Sequence, residues 1–114
     1  MCGIGGFSSS RAAYTEEPER WQEILKGMNR VQKRRGPDEK GTFMVKRCGL
    51  AHVRLSIIDL KRGRQPMAGR AGEKTCAIAF NGEIYNMKAL RRELERKGAV
   101  FATSSDTEVI LQGY

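Results

Sequence analysis

The sequence predicts an α+β fold, an antiparallel sheet with helices packed against it. Three observations carry that expectation. Strand-length apolar segments recur at residues 2–7, 41–45, 49–55 and 75–80, separated by turn-forming glycine, proline, serine and asparagine. Residues 17–33 and 87–97 instead place apolar side chains at three- and four-residue steps, the spacing of one helix face. Asn81-Gly82, directly after the most apolar strand segment, tolerates positive φ and favours a tight turn.

The elements follow in order. Residues 2–7 read as a short strand buried through Ile4 and Phe7, and the serines at 8–10 break it. Glu17-Pro18-Glu19 opens a helix, because proline fits the first turn and acid suits the positive end of the helix dipole. Trp21, Ile24, Leu25, Met28 and Val31 give that helix one apolar face; Lys33-Arg34-Arg35 suits its C-terminus, and Gly36-Pro37 stops it. Arg35-Gly36-Pro37-Asp38 is a turn-rich loop. Strands follow at 41–45 and 49–55, the second running on into 56–60. Residues 61–74, with Gln65-Pro66-Met67 inside, read as an exposed polar loop. Residues 75–80 read as a strand buried on both faces, and 83–85 as its continuation after the turn. Asn86 is placed to cap a helix over 87–97, with Leu90 and Leu94 inward and Gly98 at its end. A short strand at 99–101 and a cap-rich turn at 103–106 lead to a last helix that begins at Thr107. That helix reaches Tyr114 without a cap, which reads as a break inside a larger domain.

Composition narrows the function. The 114 residues suit one domain with a modest core, and with 39% hydrophobic and 30% charged residues the chain reads as globular. No apolar run approaches the roughly 18 residues of a membrane span, and no signal peptide is visible. The expected compartment is the cytoplasm, with no membrane partner. Cys2, Cys48 and Cys76 are odd in number and widely spaced, so no disulfide framework is expected. A zinc site built from them and His52 lacks a CxxC pair, and no metal is expected. The net charge of +8 admits an acidic partner. The charge is scattered over 33–35, 61–64 and 91–92, however, with no RNA-binding aromatic motif, so it reads as solvated surface and no nucleic-acid partner is expected.

Four places can carry chemistry. Cys2 follows the initiator methionine directly, and removal of Met1 would leave an α-amine and a thiol on one residue. Such amines titrate at about 7.7–8.0 and thiols at about 8.5, so one residue can supply both base and nucleophile. Asn81 and Gly82 read locally as a hairpin turn. The alternative is a pair of N–H donors converging on an oxyanion. Arg54 lies in an apolar strand, where a guanidinium needs a carboxylate. That partner is either structural, from Asp59 or Glu83, or a substrate's. Asp106 reads locally as an N-cap, or else as a receptor for a substrate ammonium. His52, the sole histidine, reads as a packed or hydrogen-bonded residue.

Several motifs also occur in a fixed order: Met1-Cys2-Gly3-Ile4, Arg35-Gly36-Pro37-Asp38, 50–59 (LAHVRLSIID), Gln65-Pro66-Met67, 80–86 (FNGEIYN) and 105–110 (SDTEVI). With them the chain closely resembles the start of the class II, N-terminal-nucleophile glutamine amidotransferase domain, and most of all that of glutamine-hydrolysing asparagine synthetases. The resemblance implies part of a four-layer αββα sandwich of antiparallel sheets. Residues 1–114 would be the N-terminal part of the glutaminase domain, with the remainder and a synthetase domain absent. It implies hydrolysis of L-glutamine to glutamate and ammonia, for ATP-dependent amidation of aspartate by the C-terminal synthetase domain. Cys2 would be the nucleophile and its own α-amine the base. Asn81 and Gly82 would form the oxyanion hole. Arg54 would hold the α-carboxylate and Asp106 the α-ammonium, with Glu83 beside it, while Leu55, Ser56, Ile57 and Ile58 would line the pocket. No cofactor is implied for this chain; ATP and magnesium belong to the synthetase domain. The implied partners are L-glutamine, that domain and a second copy in a homodimer. The alternatives are the glutaminase domain of another class II amidotransferase, or a non-catalytic remnant that binds glutamine or a partner.

Overall fold

The computed structural model describes residues 1–56 and 63–114. It is a mixed α/β fold of two small antiparallel sheets and three α-helices. Strands β1 (Gly3–Ser8), β2 (Glu39–Val45) and β3 (Cys48–Arg54) form one sheet in the order β1-β3-β2. Strands β4 (Met67–Ala71) and β5 (Lys74–Ile78) form the other. Helices α1 (Pro18–Val31), α2 (Met87–Arg96) and α3 (Asp106–Gly113) complete the fold. Among the described residues, no helix is long and apolar enough to cross a membrane.

Helix α1 covers one face of the first sheet. Side chains added at Gly3 or Gly5 would meet Gln32 or Met28 of that helical segment, so β1 is glycine-rich where the helix lies close. Gly3 pairs with Val53, which therefore shares this face. Alternation along β3 then turns His52 and Arg54 to the opposite face. Leu25, Ala51 and Val53 are the buried apolar centre, and burying a side chain such as Leu25 stabilises by about 1.5–3 kcal/mol. Phe7, Tyr14 and Trp21 close one end, with ring centroids 4.4–5.1 Å apart. Helix α3 packs on the second sheet through Leu111 over Gly69, and α2 leans on α3 through Leu94.

The differences from expectation have physical causes. Ile4, expected in the core, is 44% exposed, because it lies on the face of β1 that α1 does not cover. On α1 the buried line is Leu25 and Asn29, one turn apart, whereas Ile24 and Val31 are exposed. Asn29 reaches β2, donating to the Gly41 carbonyl at 2.9 Å, and this rotates the inward face away from both. The 61–74 stretch is not all loop. Residues 67–71 form β4, joined to β5 by a turn at Gly72, whose φ is +62°. β5 is exposed at Lys74 and Thr75 and half-buried over Cys76–Ile78 rather than enclosed on both faces, since among the described residues its sheet has two strands.

Residues 83–85 and 99–101 are not strands, and no hairpin forms at Asn81-Gly82. Side chains replace the expected ladder. The N–H of Phe80 donates to Gln65, that of Ile84 to Asp106, and those of Ala102 and Thr103 to Glu108. These bonds satisfy the backbone without a neighbouring strand. The expected extension of β3 over 57–60 lies outside the described residues. Asn86 stands at the N-cap position of α2, but its side chain makes no capping bond. Cys48 and Cys76 are half-buried strand residues, as expected.

Candidate active site

The end of β3, the start of β1 and the 80–84 and 105–107 turns meet around a cleft of about 410 Å³. Met1, Cys2, Arg54, Leu55, Asn81, Gly82, Glu83 and Asp106 all line it. Seven of these are residues the sequence singled out, drawn from segments far apart in the chain. Ser56 adjoins them through its backbone. Ile57, Ile58 and Asp59 lie outside the described residues.

Cys2 is the residue before β1, so β1–β3 pairing brings it to the exit of β3. The Leu55 N–H donates to its Sγ at 3.4 Å, and Sγ lies 3.7 Å from the Leu55 carbonyl. A backbone donor aimed at sulfur strengthens as the sulfur gains negative charge. The Arg35–Asp38 loop fixes both sides of this contact. Arg35 Nε donates to the Cys2 carbonyl at 3.2 Å. Asp38 takes the Ser56 N–H at 2.7 Å and donates its own N–H to the Arg54 carbonyl at 3.0 Å. Sequence reading took this loop as a turn and as one of the ordered family motifs, and assigned its residues no contact; its charged residues at both ends of Gly36-Pro37 were the available signal.

Arg54 is 5% exposed and pairs with Glu39 at 3.0 Å. Glu39 is a structural partner that the sequence reading did not suggest. Glu83 lines the cleft without that contact, Asp59 is outside the described residues, and Glu39 stands opposite Arg54 in the β2–β3 register. Glu39 also meets Arg64 at 3.3 Å.

At the other end, Asp106 is buried and opens α3. It is not the N-cap. Ser105 is, accepting the Thr107 N–H at 3.2 Å. Asp106 instead accepts the Ile84 N–H at 3.2 Å and so ties the 81–84 segment to the helix. Between the two charged ends stand Asn81 and Gly82. A Cβ at Gly82 would come within 2.8 Å of the Phe80 ring, so a larger residue there would have to displace the ring or the turn. His52 is buried beneath this corner, with Nε2 3.3 Å from the Phe80 carbonyl. A carbonyl only accepts, so Nε2 carries the proton. Burial pushes the His52 pKa below its ordinary value, against the opposing pull of that hydrogen bond.

Glu108 holds the turn that delivers Asp106. It accepts from the N–H groups of Ala102 and Thr103 and from the Thr103 hydroxyl. Burial disfavours its charge, but these three bonds and the nearby Arg91 outweigh burial, and its pKa lies below the ordinary 4.5. A depressed carboxylate contributes stability that is complete above the ordinary value and is lost as pH falls through the folded one. Glu108→Gln is therefore expected to cost about 1–2 kcal/mol at neutral pH. The gap in melting temperature from wild type should close as pH falls below 4.5. Thermal melts across pH 3–7 check this, and a gap independent of pH would contradict it.

Cys2, held against a backbone N–H at a cleft lined by Arg54 and Asp106, is positioned as expected for the nucleophile of a class II amidotransferase domain. A family model described as "Glutamine amidotransferase domain" matches residues 1–114, and the chain belongs to that family. It is 46% identical over 115 residues to asparagine synthetase [glutamine-hydrolyzing] 1 of Bacillus subtilis, covering 100% of this chain and 17% of that protein. It is 40% identical over 114 residues to asparagine synthetase B of Escherichia coli, covering 100% of this chain and 19% of that protein. Over 118 residues it is 46% identical to asparagine synthetase 3 of Arabidopsis thaliana, covering 100% of this chain and 18% of that protein. The chain thus spans less than a fifth of the curated relatives it matches.

Proposed function

We propose that this domain hydrolyses the side-chain amide of L-glutamine, as the glutaminase half of an asparagine-synthetase-like enzyme. Removal of Met1 frees the Cys2 α-amine, which takes the thiol proton. The sulfur attacks the amide carbon, and the carbonyl π electrons move to oxygen. Asn81 and Gly82 donate to that oxyanion. The ammonium of Cys2 returns its proton to the leaving nitrogen, and ammonia departs as the C–N bond breaks. Water then adds to the thioester, the C–S bond breaks, and glutamate leaves with the thiol restored. Arg54 receives the α-carboxylate and Asp106 the α-ammonium, with Glu83 beside it and Leu55–Ile58 lining the pocket.

The observation that carries this reading is the Leu55 N–H on Cys2 Sγ, in one cleft with Arg54, Asn81-Gly82 and Asp106. Glutamine brings one carboxylate, one ammonium and one amide, and the cleft offers a partner for each. The fold supports it as well: α1 on one sheet and α3 on the other fit the outer layers of an αββα sandwich. The ammonia would pass to a synthetase domain beyond the chain described, where ATP and magnesium would serve the amidation of aspartate.

Glutamate and ammonia release from L-glutamine tests the reading. The wild type is expected to release both in equal amounts. Arg54→Ala should raise KM about 10–100-fold, the order of a lost charge-assisted pair. Binding of glutamine without turnover would instead favour the remnant reading, and an unchanged KM in Arg54→Ala would remove the clamp.

A further inference from the structure

Gln65 stands between the two ends of the cleft. Its backbone is seated so closely against β2 that a Cβ on Gly41 would collide with the Gln65 carbonyl. Both ends of its side-chain amide are engaged. Oε1 accepts the Phe80 N–H at 2.6 Å, and Nε2 donates to the Thr107 hydroxyl oxygen at 3.1 Å. Phe80 immediately precedes Asn81-Gly82, and Thr107 immediately follows Asp106. The Phe80 carbonyl is held in turn by His52, at 3.3 Å. Side chains thus fix both backbone polar groups of the residue that leads into the Asn81-Gly82 corner.

We infer that Gln65 is a positioning residue, a strut between Phe80 and Thr107 that fixes the Asn81-Gly82 corner relative to the acidic start of α3. The inference rests on the glutaminase reading for what that spacing accomplishes. One small substrate must meet Asp106 with its ammonium and the Asn81-Gly82 donors with its amide oxygen at the same time. A misplacement of about 1 Å costs on the order of 10²-fold in rate. The oxyanion forms only after attack, so a loosened corner chiefly lowers kcat, while the carboxylate and ammonium contacts maintain KM.

The test uses Gln65→Met, which keeps the shape of the side chain and removes both hydrogen bonds. A second variant, Thr107→Val, removes only the acceptor at α3. In the full chain, Gln65→Met is expected to lower kcat for glutamine at least ten-fold with KM within three-fold. Thr107→Val should lower kcat several-fold, and Thr107→Ser, which keeps the hydroxyl, should recover most of that loss. A folded Gln65→Met with kcat within two-fold of wild type overturns the strut. If Gln65→Met does not fold, wild-type kcat in Thr107→Val overturns it. Hydrogen exchange at the Phe80 amide reads the strut without turnover. It should be at least ten-fold faster in Thr107→Val than in wild type, and equal rates overturn the coupling. A wild type that releases no glutamate, yet shows this difference in exchange, would sink the glutaminase reading and leave the strut standing.

Discussion

Cys2→Ala is expected to lower glutamate release by at least about 10⁴-fold, the order seen when a nucleophile is removed from an otherwise intact site. Alanine keeps the β1 backbone, its pairing toward Val53 and the carbonyl that Arg35 holds. The contacts proposed for the two charged ends of glutamine use other residues, so glutamine binding should persist within a few-fold. The loss therefore belongs to kcat. The α-amine base remains in this variant, but water beside it is a far weaker nucleophile than the thiolate it would replace, and His52 faces the Phe80 carbonyl from a buried position rather than the cleft. Isothermal titration alongside a glutamate assay separates the two quantities. Residual turnover within a hundred-fold of wild type would mean that another group attacks the amide.

The second large effect is expected at Asn81. Asn81→Ala removes a side-chain donor from the corner that is proposed to hold the oxyanion, and such a loss costs about 10²–10³ in kcat, or about 2.7–4 kcal/mol. KM should change little, because the oxygen carries full negative charge only after attack. The Gly82 backbone N–H is not removed by this substitution and stays as the other proposed donor. Single-turnover measurements would place the loss in formation of the thioester. An effect confined to KM would assign Asn81 to ground-state binding instead.

The parts legible in the sequence were those in which a residue's chemistry differs sharply from its surroundings. A cysteine at the second position, an arginine within an apolar strand and an aspartate at a helix start each need a partner, and the fold brings all three to one cleft. Helices α1 and α2 and strands β1 to β3 were legible because their periodicity spans whole elements. The illegible parts were those made by single long-range side-chain bonds. Apolar residues at 83–85 and 99–101 signal strands by propensity. Yet Asp106 accepts the Ile84 N–H from 22 residues away, and Glu108 accepts those of Ala102 and Thr103 just past the second segment. For the same reason Arg35 and Asp38 were read as turn residues and Gln65 as part of an exposed loop. Each does its work on the backbone of a distant segment. Glu39 was missed because its partnership with Arg54 depends on strand register. The exposure of Ile24 and Val31 on α1 shows the complementary limit. A helical stripe marks a face, but the partner surface decides which edge of it is buried.

The central claim is that the second residue becomes the first and then attacks with its own sulfur. Intact mass and peptide mapping, after incubation with a glutamine-mimicking diazo-ketone, test it in one experiment. The expected result is a chain lighter by Met1 that gains one adduct on the Cys2 sulfur, with L-glutamine protecting against the adduct. A chain that turns over glutamine with Met1 still attached, or whose adduct forms elsewhere while Cys2 stays unmodified, would contradict the account.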